Sequence, residues 1–528
     1  MNLPRLFHTI KYLKLIQIRY QLKYRLYPLL KELNKFQKPL QKKVNGEPLK
    51  FKEYIEKPVS FNQNFTFEFL NQKITFEHNQ INWEEGRFGK LWSYNLNYMD
   101  YLLQPGINKE TGLQLIHSFI IGLLNNITGL EPYPTSLRGI NWIKFISKFE
   151  IKDKVINETL YKQYKLLSRR LEFHLLGNHL LENALSLLFG AFYFSDKYFY
   201  AKATKILKDE LDEQVLDDGG HYELSPMYHQ IILDRLLDCI NLLQNNKRFD
   251  KQEDLLLLMR KKAELMLKWL NNMTFSNGQV PLLNDAAPEI APGSQQLNEY
   301  ASSLQIKPAT RNPQLSASGY RRFNGINYEA IIDIGQMGPL YQPGHAHADT
   351  FNFVLNVNNQ PFIVDTGIST YEDNEIRLAE RGTAAHNTVT VLNENSSEVW
   401  SSFRVARRGK VKVILDNENN IIARHDGYQR LGVIHQREWE FSKNGISIQD
   451  DLFGKRTEGK VHLWLAPGLT PVLHDNKIRI NQVILTFENA IQTRIIQTKV
   501  PYGYNRFSEN YKIEIAFKRY LNTFITVN

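Results

Sequence analysis

The sequence contains a single cysteine, Cys239, among 528 residues, so no disulfide can form within the chain. That usage fits a reducing compartment. No apolar run approaches the ~20 residues that a membrane-spanning helix needs. Hydrophobic residues nevertheless make up 42% of the chain, which excludes a disordered protein. The length predicts two or more domains with a large buried core.

Acidic residues are missing from residues 1–31. The basic residues of this segment are Arg5, Lys11, Lys14, Arg19, Lys23, Arg25 and Lys31. Leu, Ile and Tyr recur between them at helical spacing, which predicts a basic amphipathic helix. This helix would lie either on an anionic membrane surface or on the body of the protein. Tyr20, Tyr24, Tyr27 and Pro28 are typical of packing residues at a helix end and favour the second interpretation.

The same segment lacks the uninterrupted apolar core and the small-residue cleavage site of a secretory signal. We therefore expect a cytoplasmic protein or one peripheral to the inner membrane, and leave a periplasmic location open. A net charge of +10 indicates an anionic partner: nucleic acid, a membrane or an acidic polysaccharide. The sequence has no zinc-finger, RNP or helix-turn-helix motif, so we expect no nucleic-acid partner. The oligomeric state stays open.

The composition and the spacing of apolar residues change twice along the sequence, which predicts three segments. Residues 1–90 hold the basic helix and a mixed lead-in. Residues 91–310 show apolar residues at i, i+3 and i+4 in successive runs, which is typical of antiparallel helical hairpins in bundles and toroids. A proline-punctuated stretch near residues 275–315 marks the junction. Residues 311–528 consist of short, alternating, β-branched runs, which predict an antiparallel β-sandwich.

Polar residues interrupt the helical half at two predicted helix starts. His179 and Glu182 share a helix face at the first, so Glu182 is a candidate to orient the imidazole. Ser225 and Pro226 at the second are typical of an N-cap and the position after it. They place Tyr228 in the first helical turn, where the positive helix end makes a phenolate less costly. Each helix start also has a purely structural alternative. The residues around His179 would be an ordinary helix cap, and Tyr228 would be a half-buried aromatic at a helix start.

A third polar stretch supplies weaker candidates for substrate binding. Arg138 is suited to bidentate binding of a carboxylate. Trp142 is suited to stacking on a sugar. Together with Glu182 and Glu223, these two residues make up the predicted substrate-binding set.

Residues 341–387 carry the densest group of polar motifs in the chain. His345 and His347 are two positions apart, so on an extended chain their side chains would point to the same face. His347, Asp365 and His386 offer two imidazoles and one carboxylate, a set suited to zinc, with His345 beside it. The alternative is that these are unrelated turn residues.

Four motifs, GNHLLEN, DGGHYELSPMYH, GHAHAD with IVDTG, and RGTAAHNTV, resemble the heparinase II/III family of polysaccharide lyases and its alginate-lyase relatives. The resemblance covers roughly residues 92–400. It implies an (α/α) toroid followed by an antiparallel β-sandwich. It also implies β-elimination on a uronic-acid polysaccharide, either a glycosaminoglycan or an alginate-like polymer. The basic N-terminus departs from the well-known secreted members and suggests a link to capsule or other cell-envelope polysaccharide.

The resemblance also implies a role for each motif residue. Asn178 and His179 would bind or neutralise the uronate carboxylate. Tyr228 would be the catalytic tyrosine, and His345 the histidine beside it. One structural zinc ion at the domain interface would be bound by His347, Asp365 and His386.

Two other classes of protein compete with this hypothesis. One is a non-catalytic or biosynthetic carbohydrate-binding protein that keeps the fold. The other is a metal-dependent hydrolase, because a His-x-His pair also opens the amidohydrolase metal site. That site requires barrel strands alternating with helices, whereas the residues after Asp349 are mostly strand after strand.

Overall fold

The computed structural model describes residues 3–29, 32, 36, 38–40, 44–62, 64–77, 80–310, 315–474 and 477–528. Helices dominate up to Ser303, and strands dominate from Tyr320 onward. This order confirms the predicted fold class, a helical part followed by an antiparallel β part. Within the described ranges, no helix is both long enough and apolar enough to span a bilayer.

The helices of the described residues lie mainly in the first half of the chain. They are α1 (Leu3–Ile10), α2 (Leu15–Leu26), α3 (Gly89–Tyr98), α4 (Lys109–Gly122), α5 (Pro132–Lys148), α6 (Lys154–Arg169), α7 (Gly177–Phe194), α8 (Lys197–Gln214), α9 (Pro226–Asn245), α10 (Gln252–Met273), α11 (Ser294–Ser303) and α12 (Glu375–Glu380). Single 3₁₀ turns cover Asp100–Leu103, Leu123–Asn125, Thr128–Leu130, Thr383–Ala385 and Gln429–Leu431. The basic N-terminal segment therefore forms two helices, α1 and α2, where one was predicted.

Side-chain caps fix where several helices begin. Asp153 and Asp196 accept backbone N–H bonds at the starts of α6 and α8. Ser225 accepts a hydrogen bond from the N–H of Tyr228, and Pro226 is the first residue of α9. These caps satisfy donors that a helix start otherwise leaves unpaired. The helix start predicted before Tyr228 is confirmed.

The centre of the helical core is α7, which is buried on almost every side. It packs against α5, α6, α8 and α9. α5 begins at Pro132. Pro132 and Pro134 lie in its first turn, where a missing N–H costs little, so these prolines do not exclude a helix there.

In the part of the chain that the structure describes, the strands form four sheets. They are β1 (Phe61–Asn62), β2 (Thr66–Phe69), β3 (Gln72–Thr75), β4 (Tyr320–Asn324), β5 (Tyr328–Asp333), β6 (Phe353–Val357), β7 (Gln360–Ile363), β8 (Val389–Val391), β9 (Val399–Trp400), β10 (Arg404–Val405), β11 (Val411–Asp416), β12 (Asn420–His425), β13 (Val433–Ser442), β14 (Gly445–Gly454), β15 (Glu458–Trp464), β16 (Val472–His474), β17 (Lys477–Ile480), β18 (Val483–Pro501) and β19 (Phe507–Val527). The large sheet has the order β11-β12-β13-β14-β19-β18-β17-β16, and β15 pairs with β19 and β8. The smaller sheets are β4-β5-β6-β7, β1-β2-β3 and β9-β10.

The four-stranded sheet and the large sheet share one apolar core. Phe353 and Leu355 of β6 lie in the same buried cluster as Ile421 of β12 and Trp439 of β13. Burial alternates along β13, as expected for a strand with one face on the core. The predicted alternation therefore identifies this half correctly as antiparallel β structure.

The alternating apolar residues 483–487 mark only the start of a much longer strand. β18 continues to Pro501 and pairs with β19 along most of its length, forming a long hairpin. Beyond Phe487 most β18 residues are exposed or half-buried on both faces. A strand segment without a face on the core has no alternation of apolar and polar residues. The sequence pattern therefore identifies β18 only as far as the strand packs on the core.

The helix α2 lies across the boundary between the helical and the β parts. Gln17 is buried, and its Nε2 donates to the carbonyl oxygen of Leu175 (3.2 Å) and to that of Tyr341 (3.4 Å). The ring of Tyr20 packs on Phe173 with 4.7 Å between centroids. These contacts agree with the interpretation that the basic segment packs on the body of the protein.

A buried ion pair also joins the two parts. Asp285 follows α10, and Arg377 lies in α12; their side chains are fully buried. Arg377 donates to both carboxylate oxygens of Asp285, at 2.5 and 2.7 Å, and His347 donates from Nε2 at 2.8 Å. Burial alone would raise the pKa of Asp285, but Arg377 and His347 hold that pKa well below its usual range. The carboxylate is therefore ionised inside the protein.

Replacing Arg377 by Met should destabilise the protein strongly. The substitution keeps most of the side-chain volume but leaves the charge of Asp285 buried with one partner fewer. We expect the free energy of unfolding to fall by about 3–5 kcal/mol, the scale for breaking one side of a buried pair. Chemical denaturation followed by fluorescence measures this change.

The matched control is Arg407→Met, which removes the same group from a half-exposed pair with Glu398. Exposed pairs contribute little, so its effect should stay below about 1 kcal/mol. Equal effects of the two substitutions would contradict the view that the Asp285–Arg377 pair holds the two parts together.

Candidate functional site

The candidate site lies where the helical part meets the β part. The helical part supplies the first turns of α7 and α9 and the turn between α8 and α9. The β part supplies the turn at residues 344–349 and the loop after β7. Residues 344–349 form a turn and not a strand, so the expectation that His345 and His347 point to one face does not hold. Their side chains belong to two separate polar groups, both buried.

Glu223 links three of the predicted site residues. Its Oε2 accepts a hydrogen bond from Nδ1 of His345 at 2.7 Å. Its Oε1 accepts from the backbone N–H of Asn178 at 3.3 Å. Burial would raise the pKa of Glu223, yet the neighbouring His345 lowers it below its ordinary value. An ionised Glu223 thus connects the start of α7 to the β part, a role that its prediction as a substrate-binding residue did not include.

The turn that carries Glu223 depends on a glycine. Gly219 has a φ of +92°, a backbone conformation that L side chains rarely adopt, and a Cβ on it would lie 2.1 Å from the carbonyl oxygen of Leu265. The adjacent Asp218 accepts bonds from the N–H and the hydroxyl of Ser318, both at 2.7 Å. This local structure explains Gly219, the first glycine of the DGGHYELSPMYH motif.

Tyr228 stacks on His345 across the boundary. The ring centroids are 4.0 Å apart, with 15° between the planes. The hydroxyl of Tyr228 lies 3.0 Å from the hydroxyl of Tyr371. Burial raises the pKa of Tyr228 well above its ordinary value, and the nearby Tyr504 adds a smaller shift in the same direction. The expectation that the helix start favours a phenolate is therefore corrected, because desolvation outweighs the helix end and the phenol stays neutral.

Tyr371 is a site residue that the sequence analysis missed. It lies half-buried between Tyr228, Tyr504 and Phe403, and the Arg377 guanidinium lies 4.9 Å from its ring centroid. Burial also raises its pKa well above the ordinary value. Its position within residues 341–387 was the available signal, but a lone tyrosine in a loop has no periodicity that marks it.

His179 pairs with Glu172 instead of Glu182. Its Nδ1 donates to Oε1 of Glu172 at 3.1 Å, and Oε2 of Glu172 accepts from Nδ2 of Asn183 at 2.9 Å. The ring of His179 also packs on Tyr133, with 4.6 Å between centroids. Burial lowers the pKa of His179, but the charge of Glu172 more than compensates, so the pKa is raised. The imidazolium form is thereby favoured next to Asn178.

Glu182, predicted to orient His179, lies in a different polar group. Its Oε1 is 3.5 Å from Nε of Arg235, and neither of its oxygens has a hydrogen-bond partner. Burial raises the pKa of Glu182 to about 7, although Arg235 opposes the shift. Glu182 lies about one turn after His179 in α7, yet its side chain is buried in the helical core.

Arg138 and Trp142 are buried in the helical core, and this corrects their prediction as substrate-binding residues. Arg138 donates to the Oε1 of Gln163 at 2.6 and 2.8 Å and to the carbonyl oxygen of Asn97 at 3.0 Å. Trp142 is fully buried and its Nε1 lies against the sulfur of Met99.

The predicted zinc ligands lie close together behind the Tyr228–His345 pair. His347 and His386 have ring centroids 5.2 Å apart, and both are fully buried. Nδ1 of His386 donates to Oδ2 of Asp365 at 2.8 Å, and Asp365 also accepts from the side chain of Asn352 and the N–H of Gly367. Among the described residues, no group of three or more His, Cys, Asp and Glu side chains is already arranged around one metal position.

Three buried polar atoms in this group have no hydrogen-bond partner: Nδ1 of His347, Nε2 of His386 and Oδ2 of Asp349. Buried atoms of this kind are rare in folded proteins and call for an explanation. In both imidazoles the other nitrogen donates to a carboxylate, which is the arrangement of most metal-bound histidines. The residue types therefore fit a zinc ion.

The arrangement suits proton transfer near an anion. A neutral phenol lies against an imidazole, a second phenol is within hydrogen-bond distance, and an imidazole with a raised pKa lies next to an amide side chain. Oδ1 of Asn178 is buried without a partner, so the amide is not committed to another protein group among the described residues. Groups of this kind stabilise a developing negative charge and move protons to and from it.

Two family models match the chain. The one described as "Heparinase II/III N-terminus" matches residues 138–312, and "Heparinase II/III-like, C-terminal" matches residues 307–516. A heparin-sulfate lyase of Pedobacter heparinus is 25% identical over 370 residues, 62% of this chain and 54% of the relative. One of Bacteroides stercoris is 24% identical over 318 residues, 54% of this chain and 45% of the relative. The chain thus spans about half the length of these curated relatives.

Solved structures show the same fold. A crystal structure of heparinase III has a TM-score of 0.69 and 16% identity, with 99% of this chain and 94% of that chain covered. The heparan sulfate lyase HepC from Pedobacter heparinus has a TM-score of 0.55 and 17% identity, with 88% and 82% covered. Each likeness covers both the helical and the β part.

Replacing Glu172 by Gln should lower the pKa of His179. The amide keeps an oxygen that can accept from His179 and Asn183, but it removes the negative charge that raises the pKa. NMR titration of ¹³C-labelled histidine rings measures the change, with His179→Gln identifying the signal. Glu182→Gln is the control, because Glu182 makes no bond to His179, and it should leave that pKa nearly unchanged.

The same substitution predicts a pH window for stability. Folding raises the pKa of His179. The charge on His179 therefore lets the His179–Glu172 pair stabilise the fold below about pH 6.5, and this stabilisation is lost as pH rises through the pKa of His179 in the folded protein. Folding lowers the pKa of Glu172, so the contribution is also lost as pH falls through that value. The difference in unfolding free energy between wild type and Glu172→Gln should peak between these two pKa values. A difference that is constant with pH would contradict the ion pair.

Proposed function

We propose that this chain, which belongs to the heparinase II/III family, is a polysaccharide lyase that cleaves a uronic-acid-containing polysaccharide by β-elimination. The observation that carries the proposal is the buried pair of Tyr228 and His345, with Tyr371 within hydrogen-bond distance of Tyr228. The helical part would then be the (α/α) toroid and the β part the sandwich of that family. Both parts contribute to this group of residues.

Elimination removes a proton from the carbon next to a carboxylate, and the resulting carbanion forms only if the carboxylate charge is neutralised. We assign this task to Asn178 and His179. The raised pKa of His179 favours its cationic form, and the amide of Asn178 supplies a neutral donor. Glu172 holds the imidazole in place through Nδ1, so it acts as a positioning residue.

Tyr228 would exchange protons with the sugar. Its raised pKa keeps the phenol protonated at neutral pH, which suits donation to the leaving O4 oxygen. Loss of the C5 proton needs a base, and the imidazole of His345 is the group of this cluster that can accept that proton, because both phenols are already protonated. Glu223 fixes His345 through Nδ1 and so determines which of its nitrogens is left for the reaction.

The substrate class is proposed from charge and from the relatives. Heparin-sulfate lyases match the chain, and a basic protein with a net charge of +10 suits an acidic polymer. Heparan sulfate is therefore the first polymer to test, followed by other uronic-acid polysaccharides of capsules and cell envelopes.

We also propose one structural zinc ion held by His347, Asp365 and His386. The unpartnered nitrogens of the two imidazoles support this assignment. As a ligand, Asp365 would give up at least one of the hydrogen bonds that it accepts from His386, Asn352 and Gly367. The ion would fix the wall that carries His345 and would supply no chemistry to the sugar.

An assay on heparan sulfate, chondroitin sulfate, hyaluronan and alginate tests the proposed reaction. Elimination leaves a C4–C5 unsaturated uronate that absorbs in the ultraviolet, whereas hydrolysis leaves none. We expect absorbance to rise with at least one of these polymers. New reducing ends without absorbance would identify a hydrolase and contradict the proposal, and so would binding without any cleavage.

Tyr228→Phe removes the hydroxyl and keeps the ring on His345. We expect kcat on the confirmed substrate to fall by at least ~10²-fold, the usual scale for an acid–base group, with Tm nearly unchanged. Tyr161→Phe is the matched control, since it also removes a hydroxyl that is hydrogen-bonded, here to Asp196 at 2.9 Å. Turnover close to wild type in Tyr228→Phe would remove Tyr228 from the mechanism.

The zinc assignment predicts about one zinc per chain in protein purified without added metal. His347→Ala should lower the metal content and Tm together, because the ion and the fold of this region depend on each other. His117→Ala is the control, since His117 is partly exposed and pairs with Asp153. Metal-free protein with the full Tm of the wild type would refute the assignment.

A further inference from the structure

The N-terminal helices α1 and α2 are held on the body by one side only. Gln17, Tyr20 and Tyr24 of α2 face the body, and the hydroxyl of Tyr24 donates to the carbonyl oxygen of Leu171 at 2.6 Å. Since successive residues turn by about 100°, the opposite side of α2 carries Leu15, Arg19 and Leu22. Leu15 is 84% exposed and Leu22 is 56% exposed. A helix whose outer face is this apolar requires an explanation, because its packing on the body is already complete.

α1 has the same construction. Arg5 pairs with Glu398 at 2.8 Å, and the indole N–H of Trp400 donates to Thr9 at 3.2 Å, so one side of α1 is fixed to the β part. The other side carries Leu3, Phe7 and Ile10, which are the exposed apolar residues of that helix. Two consecutive helices therefore both direct a row of apolar side chains away from the protein.

Basic side chains flank these two rows. Lys11 lies in the turn between the helices, and Arg19, Lys23 and Arg25 lie along α2; all four are exposed. No acidic residue occurs in residues 3–29. An apolar row flanked only by positive charge is typical of a helix that lies in the headgroup region of an anionic bilayer.

We propose that the outer face of α1 and α2 binds the surface of an anionic membrane while the inner face stays packed on the body. The leucine and phenylalanine side chains enter the boundary of the acyl chains, and the flanking lysines and arginines contact lipid phosphates. Because Gln17 bridges Leu175 and Tyr341, the surface is rigidly attached to both halves of the protein. Packing on the body and membrane binding are thus compatible, and the inference does not depend on the proposed reaction.

Flotation of the full-length protein with vesicles tests this proposal. Vesicles of phosphatidylcholine mixed with phosphatidylglycerol should carry the wild type at low salt, and pure phosphatidylcholine vesicles should carry much less. Binding should weaken as salt is raised, because ions screen the attraction between exposed charges. Absence of binding to the anionic vesicles at low salt overturns the proposal.

Leu15→Ser together with Leu22→Ser should lower the partition coefficient on anionic vesicles by about tenfold or more, the scale for losing the burial of two large apolar groups. The matched control is Ile121→Ser with Leu257→Ser, which removes two side chains that are 85% and 71% exposed elsewhere on the helical part. This control should bind as the wild type does. Unchanged binding of the first pair, or equal loss in both pairs, overturns the proposal.

The charges are tested separately by Arg19→Gln with Arg25→Gln, compared with Lys412→Gln and Lys477→Gln, two exposed lysines of the β part. Only the first pair should reduce binding, and its binding should depend less on salt. Equal loss in both pairs would indicate that overall charge matters instead of this surface.

Light scattering in solution tests whether a second copy of the chain covers the outer face of α1 and α2. A dimer that Leu15→Ser with Leu22→Ser converts to a monomer would show that a second copy covers this face.

Discussion

The carboxylate of Asp285 is the buried charge on which the rest of the structure depends. It accepts bonds from Arg377 and His347, both from the β part. Its backbone carbonyl accepts from the hydroxyl of Ser225, which caps the helix that carries Tyr228, and its N–H donates to the carbonyl of His345. Asp285, which follows α10, thus fixes the position of both rings of the stacked pair, Tyr228 and His345. A displaced charge at this depth would lose partners that water cannot replace.

Burial determines the chemistry of the site more than the helix ends do. Tyr228 and Tyr371 both lie in surroundings that disfavour the phenolate, so their pKa values are raised. Glu223 is as deeply buried and His179 is partly buried, but each has an oppositely charged partner that favours its ionised form. The groups that can move protons, the neutral phenols, are therefore distinct from the groups that can stabilise charge, the ionised side chains. This division suits elimination next to a carboxylate.

The N-terminal helices connect the site to the outside of the molecule. α2 bonds through Gln17 to the residues just before α7 and to the turn just before His345. A force or a surface acting on these helices therefore acts on both walls of the site. If the outer face binds a membrane, the orientation of the site toward the bilayer is fixed by the same contacts that hold the two halves together.

The sequence by itself determined the order of helices and strands, the capped start of α9 and the residues that meet at the boundary, because caps and apolar periods act within a few positions. It did not identify Glu172 as the partner of His179 or Tyr371 as the partner of Tyr228, which lies 143 positions away. Only the tertiary structure decided these pairs and removed Arg138 and Trp142 from the site. Which side of a helix faces a cleft and which faces the core depends on how distant segments pack, and no local pattern contains that information.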